Sequence, residues 1–344
     1  MLTGRCARDD VAAPNQQRTV MMNSPSPSRP SAPRSTGRLR WLALLASAFL
    51  LIGFTACSSD SNASAKSSTT EKDAVDATPA KSGGGADIAN AMTITAPGMS
   101  YDVSGDLRPG VAAITFKNTD DESHMMVVAR LNDGVTRDQF EKALESPDES
   151  AVNSLLADPQ DTGYGTPAEL GPGQQSTVIT QNLKEGNYAT ICFFTTDDGT
   201  PHFAMGMIGE FKVTGEPSTD ERPDSDGTIT IDDKAITMPD GFEGKGTFAV
   251  ENTGAKVHNI QLVKLDDGAT IEGYLKAVNE TMSNGKSVEN AKGGLLMGGV
   301  DVVEPGQMVW LVLDLPAGNY GYLSTEDAQD SPKPPTQIGE FTVS

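Results

Sequence analysis

From residue 86 onward the chain alternates short apolar runs with clusters of Gly, Pro, Asn and Asp. Ala112–Phe116, Met125–Leu131, Ser176–Thr180 and Tyr188–Phe193 are rich in β-branched or aromatic residues and predict strands. Thr228–Ile231, Thr247–Val250, Ile260–Leu265 and Met308–Leu313 predict a second set. Helical spacing is rarer. Ile271, Tyr274, Leu275 and Val278 fall at i, i+3, i+4 and i+7 and predict one buried helical face. Thr136 with Gln139 fits a capping box opening a helix that buries Phe140 and Leu144. Asp148 predicts the cap of a short helix carrying Val152, Leu155 and Leu156. Short strands at this spacing predict an all-β sandwich or barrel with brief helical insertions.

The two strand sets are copies of one another. Phe116-Lys117-Asn118 is followed six residues after the Asn by His124, and Val250-Glu251-Asn252 by His258 at the same distance. Asp133-Gly134 matches Asp267-Gly268, and Pro172-Gly173-Gln174 matches Pro305-Gly306-Gln307. Gly186-Asn187-Tyr188 matches Gly318-Asn319-Tyr320, and both copies end on Ile-Gly-Glu-Phe. Two long copies imply tandem domains rather than a solenoid. The expected organisation is a leader over 1–56, a flexible polar tether over 57–85, a first domain over 86–215, a linker over 216–226 and a second domain over 227–344.

Composition narrows the function. Acidic residues outnumber basic ones 47 to 26 over 344 residues, for a net charge of −21. That balance excludes a nucleic-acid partner, whose phosphates require clustered Lys and Arg. Three His cannot supply a multi-site metalloenzyme built on imidazoles. Three Cys cannot form a disulfide framework. There is no phosphate loop, paired-Cys zinc motif or dinucleotide fingerprint. The chain is therefore expected not to be an enzyme. The acidic pairs Asp120-Asp121, Asp197-Asp198 and Asp232-Asp233 read as solvated turns.

The leader changes the arithmetic. Arg38 and Arg40 precede Trp41–Phe54, which holds no charge and is too short for a comfortable membrane span. It closes on Phe54-Thr55-Ala56-Cys57. The segment resembles a bacterial lipoprotein signal. That resemblance implies diacylation of Cys57 as the new N-terminus and a lipid anchor on the extracytoplasmic face of the membrane. The 288 residues left would carry 19 basic and 45 acidic groups, a net of −26. Their one remaining thiol would be Cys192.

Candidate chemistry gathers in the first copy. His124 and His258 are equivalent, whereas His202 has no counterpart. His202 follows Cys192 by ten residues, and Met205 and Met207 come next. An early His, then a Cys, a His and a Met on one loop between strands, resembles the cupredoxins, the blue-copper fold. The resemblance implies two tandem cupredoxin-like Greek-key β sandwiches or barrels, each with a short helical insertion. It implies a mononuclear type 1 copper in the first domain, with His124, Cys192 and His202 as equatorial ligands. Met207 is the axial choice and Met205 the alternative. A thiolate and two imidazoles suit copper in both oxidation states, and a distant thioether tunes the potential.

The Cys-to-His loop is longer than in most small cupredoxins and resembles that of copper-containing nitrite reductases, where a Pro also stands close before the His. Their catalysis needs further His that this chain lacks. In the second copy Ser324 stands at the Cys position, and Pro332–Gln337 offers no thiolate, imidazole or thioether. That copy is expected to hold no blue copper, so His258 is expected to serve the fold. Two functions follow: electron transfer or copper handling with a redox partner, or a metal-free binding module of the cell envelope.

Overall fold

Every run singled out by alternation forms part of a strand in the computed structural model, which describes residues 87–146, 148–157, 165–325 and 337–344. The first repeat contributes β1 (Ala91–Gly98), β2 (Ser100–Ser104), β3 (Gly110–Asn118), β4 (Val127–Arg130), β5 (Thr166–Pro167), β6 (Gln175–Leu183), β7 (Gly186–Ile191) and β8 (Ile208–Val213). The second contributes β9 (Gly227–Ile231), β10 (Ile236–Thr237), β11 (Lys245–Asn252), β12 (His258–Leu265), β13 (Gly294–Val303), β14 (Met308–Asp314), β15 (Gly318–Leu323) and β16 (Ile338–Val343). The predicted leader, the tether and Cys57 lie outside the described residues. Among the described residues no helix is long and apolar enough to cross a membrane.

The predicted fold class, all-β with short helical insertions, is the one found. Alternation decides which face is buried: Met92, Ile94 and Ala96 of β1 and Ile114 and Phe116 of β3 point into one core, joined by Val128, Tyr188, Cys192, Met207 and Phe211. The second core repeats this with Ile229, Ile231, Phe248, Val250, Leu262, Leu311 and Tyr320. In each repeat the first strand runs parallel to the third, β1 to β3 and β9 to β11.

The helices follow their caps. Thr136 and Gln139 make the reciprocal capping box of α1 (Arg137–Leu144), which buries Phe140 and Ala143. Asp148 caps α2 (Glu149–Asn153) by accepting from the Ser150 amide. Thr270 caps α3 (Ile271–Ser283), whose buried face carries Ile271 and Tyr274.

The repeats share their sheets. One eight-stranded sheet runs β10-β9-β11-β14-β6-β3-β1-β2, so β14 of the second repeat pairs antiparallel with β6 of the first. Leu311 lies opposite Val178, its own equivalent in the other copy. Val300 likewise lies opposite Pro167 in the β13–β5 pairing. The 216–226 segment is also tied down: Ser218 N–H donates to Pro109 O at 2.8 Å, and the Asp220 carboxylate accepts from Asn90 N–H at 2.8 Å.

Candidate metal centre

His124 is placed by the loop before it. The buried Asn118 donates through Nδ2 to Glu122 O at 2.7 Å and to Leu170 O and Gly171 O, each at 3.1 Å. Its Oδ1 accepts from Asp120 N–H at 3.0 Å. These bonds fasten the turn over 119–123 to the 170–171 segment. His124 then exchanges both backbone bonds with Leu170, each 2.9 Å long.

Cys192 follows β7 directly, with its side chain in the first core. The nine residues to His202 are not a slack loop. Phe203 N–H donates to Cys192 O, His202 N–H to Phe194 O, and Thr195 bridges Pro201, so 192–203 is a hairpin that returns His202 to the thiol. Asp198 closes its tip by accepting from Thr196 Oγ1 and Thr200 N–H. A 3₁₀ turn, His202–Met205, ends on Gly206 at φ 106°, a left-handed conformation that favours Gly. The chain thereby turns back, and Met207 O accepts from Cys192 N–H at 3.2 Å.

The result is a small triangle of donor atoms. Cys192 Sγ lies 3.9 Å from His124 Nδ1 and 3.5 Å from His202 Nδ1, and the two nitrogens are 3.3 Å apart. The point equidistant from all three is about 2.1 Å from each, inside the roughly 2.0–2.3 Å span of imidazole and thiolate bonds to zinc, copper's neighbour. Among the described residues this is the one group of three or more His, Cys, Asp or Glu whose ligand atoms lie within 4.8 Å of one another. All three side chains are buried. Of the two thioether candidates, Met207 is fully buried beside Cys192 in the core, while Met205 is 48% exposed.

No family model matches the chain. No curated protein matches it either. Solved structures do. The reduced auracyanin of the photosynthetic bacterium Roseiflexus castenholzii is 25% identical over 37% of this chain and 98% of that one, with a TM-score of 0.26. Auracyanin A, a "blue" copper protein of Chloroflexus aurantiacus, is 20% identical over 36% of this chain and 98% of that one, with a TM-score of 0.24. A multicopper oxidase is 14% identical over 74% of this chain and 88% of that one, with a TM-score of 0.20. A Cu-containing nitrite reductase of Thermus scotoductus and a laccase also match. These last are enzymes by name, and with them among the similar structures the expectation that this chain is not an enzyme does not stand.

The donor set has the chemistry of a cation site. Burial pushes the Cys192 thiol up to about 12, although the Met125 and Phe194 amides and the Tyr101 hydroxyl pull it back. A thiolate here therefore requires a cation beside it. Burial, reinforced by the neighbouring His124, pushes His202 down to about 4, so its ring is neutral and offers a lone pair. His124 Nε2 meets Asp120 Oδ2 at 2.9 Å. With Nε2–H donated to that carboxylate, Nδ1 is left bare and points at the thiol. Burial raises the Asp120 carboxyl, but the bonds from His124 and the Asp121 amide outweigh it and hold the group below its usual range. His202 Nε2 lies 3.6 Å from Glu122 Oε2 without a hydrogen bond. Burial and the nearby Asp120 and Glu289 carboxylates raise the Glu122 carboxyl.

Asp120 was therefore misread as part of a solvated turn, and so was Asp233. In the second repeat His258 Nε2 meets Asp233 Oδ1 at 3.0 Å, and that bond holds the Asp233 carboxyl below its usual range. Ser324 occupies the Cys192 position, where its hydroxyl donates to Asn259 Oδ1 at 3.0 Å. Gln337 stands where the first repeat has Met207, and its carbonyl accepts from Ser324 N–H at 3.0 Å. The backbone bond that seats Met207 is thus kept where the thioether is gone.

Proposed function

We propose that the first repeat is a type 1 copper site, held by His124 Nδ1, Cys192 Sγ and His202 Nδ1 with Met207 as the axial group. The protein would use it to pass single electrons or to hold copper for delivery. The observation that carries this reading is the buried triangle of two imidazole nitrogens and one thiol, sized for metal bonds. When bound, copper supplies a one-electron couple. The chain supplies the rest. Asp120 fixes the His124 tautomer, and the 192–203 hairpin fixes the distance between thiol and second imidazole. Burial of all three ligands keeps water away, and a site held on strands and a closed hairpin changes little when its charge changes. The resemblance of residues 41–57 to a lipoprotein signal supports an anchor at Cys57 on the extracytoplasmic face. There the acidic surface would steer a basic redox or envelope protein partner.

The test is titration of the purified protein with Cu(II). An intense visible thiolate-to-copper absorption should saturate at one copper per chain and vanish in Cys192→Ser. A colourless protein that retains no stoichiometric copper would leave the metal-free envelope module as the surviving reading.

A further inference from the structure

The second repeat carries no thiol of its own, yet it touches both the hairpin that presents Cys192 and His202 and the loop that presents His124. The tip of the 192–203 hairpin is the clearest case. Asp197 Oδ1 accepts from Ser287 N–H at 3.1 Å and from Asn290 Nδ2 at 2.7 Å, both in the turn that follows α3. At the base of the same hairpin, Phe194 packs against the core around Cys192. Phe194 also packs against the second repeat's cluster of Val263, Ile271, Tyr274, Leu296 and Leu323.

The other ligand segment is held in the same way. Ser123, the residue before His124, donates its N–H to Glu289 Oε1 in that same turn. Leu170, which exchanges backbone bonds with His124, is bridged on its other side to Met297 of β13, and Gly171 N–H donates to Leu296 O at 2.9 Å. The approach is close: a Cβ on Gly171 would lie 2.3 Å from Leu295 Cδ1.

We propose that the second repeat is the outer frame of the copper site, and that Asp197 and Glu289 are positioning residues setting how firmly His202 and His124 are held. The inference rests on the copper reading and deepens it. Its physical basis is chain entropy. Nine residues between two ligands would let the second imidazole wander, because a longer connector samples more separations. Pinning the hairpin tip to another body removes that freedom before metal arrives. The carboxylates of Asp197 and Glu289 make charge-assisted bonds, the stronger kind: Asp197 reaches into the turn over 287–290, and Glu289 reaches out of that turn to Ser123.

The experiment uses the full chain and the variants Asp197→Ala, Glu289→Ala and Asp197→Asn, the last of which keeps an acceptor oxygen. Two properties are read. Amide hydrogen exchange over 193–203 in the metal-free protein reports the grip itself. The release rate of Cu(II) to a chelator, with the position of its visible band, reports the effect on the metal. Asp197→Ala should speed exchange across the hairpin, release copper about tenfold faster and move the band, and Asp197→Asn should restore most of each. Glu289→Ala should loosen copper without raising exchange at the hairpin tip. Folded Ala variants that match the parent in exchange, release and band position would overturn the proposal. A parent that binds no copper would defeat the copper reading, while the exchange measurement would still decide whether the second repeat grips the hairpin.

Discussion

Asn118, His124, Tyr188 and Phe211 of the first repeat stand where the second has Asn252, His258, Tyr320 and Phe341, and the Asn, Tyr and Phe pairs make matching contacts. Both Asn side chains donate to loop carbonyls four residues on, Glu122 O at 2.7 Å and Lys256 O at 2.8 Å. Both Tyr hydroxyls reach back four residues, to Lys184 O at 2.7 Å and Pro316 O at 2.6 Å. Both Tyr rings stack on a Phe, at 5.0 and 5.2 Å. Among the described residues the copies part at two of the candidate ligand positions: Cys192 against Ser324, and Met207 against Gln337. The difference separates frame from content. A buried His bonded to a carboxylate belongs to the frame, because His258 keeps that bond with no thiol beside it. The carboxylate itself is not inherited from a fixed position. Asp120 comes from the turn just before its His, and Asp233 from the turn after β9. Two routes to one tautomer argue that holding Nδ1 bare has value in each half.

That separation can be broken experimentally. The largest effect is expected from truncating the buried Asn. Asn118→Ala and Asn252→Ala each strand buried carbonyls, which costs about 2–4 kcal/mol, and equal losses by chemical denaturation are expected. Only Asn118→Ala should also weaken copper, since its bonds shape the loop that carries His124. Next come the carboxylates. Asp120→Asn should weaken copper about tenfold, whereas Asp233→Asn should leave copper binding unchanged.

Asp233→Asn should act on acid stability instead. The folded Asp233 carboxyl titrates below its unfolded value of 3.8 because His258 donates to it. Its contribution is therefore complete above that value and lost as pH falls through the lower folded one. Asp233→Asn should flatten that acid limb in a pH series of thermal unfolding. The smallest effect is expected from Tyr188→Phe and Tyr320→Phe, at about 1 kcal/mol each for one lost hydrogen bond. Matching values would support an unaltered frame, and a larger loss from Tyr188→Phe would mean that the first repeat leans on its Tyr more heavily.

Much of this was legible in the chain. The repeat, eight of the strands and all three helix starts follow from alternation, helical spacing and caps. The clustering of His124, Cys192 and His202 was legible because Cys and His are scarce and the second copy lacks two of the three. Other elements left weaker signals. β2 is exposed at four of its five positions, so it shows no apolar face. β13 contains Gly298 and Gly299, both at positive φ, and reads as loop although it pairs across the repeats. The roles of Asp120 and Asp233 were hidden for a different reason. An acidic pair in a turn looks alike whether it faces water or an imidazole. In the first repeat the four-residue step from Asp120 to His124 was an available cue; in the second, 25 residues separate the partners. The pairing of β6 with β14 left one trace: Val178 and Ile179 are adjacent and both buried, so the strand is covered on both faces at that point.

That pairing has a consequence for association. A strand lying opposite its own equivalent is how two identical subunits meet about a two-fold axis. Here both partners belong to one polypeptide, so dilution cannot part them: the encounter is intramolecular, at an effective concentration of order millimolar or above. Each half also screens an edge that would otherwise be free to recruit a neighbouring molecule. Thermal unfolding should accordingly be independent of protein concentration. A first repeat released by proteolysis between the repeats would regain a concentration dependence, and with it a tendency to pair with itself.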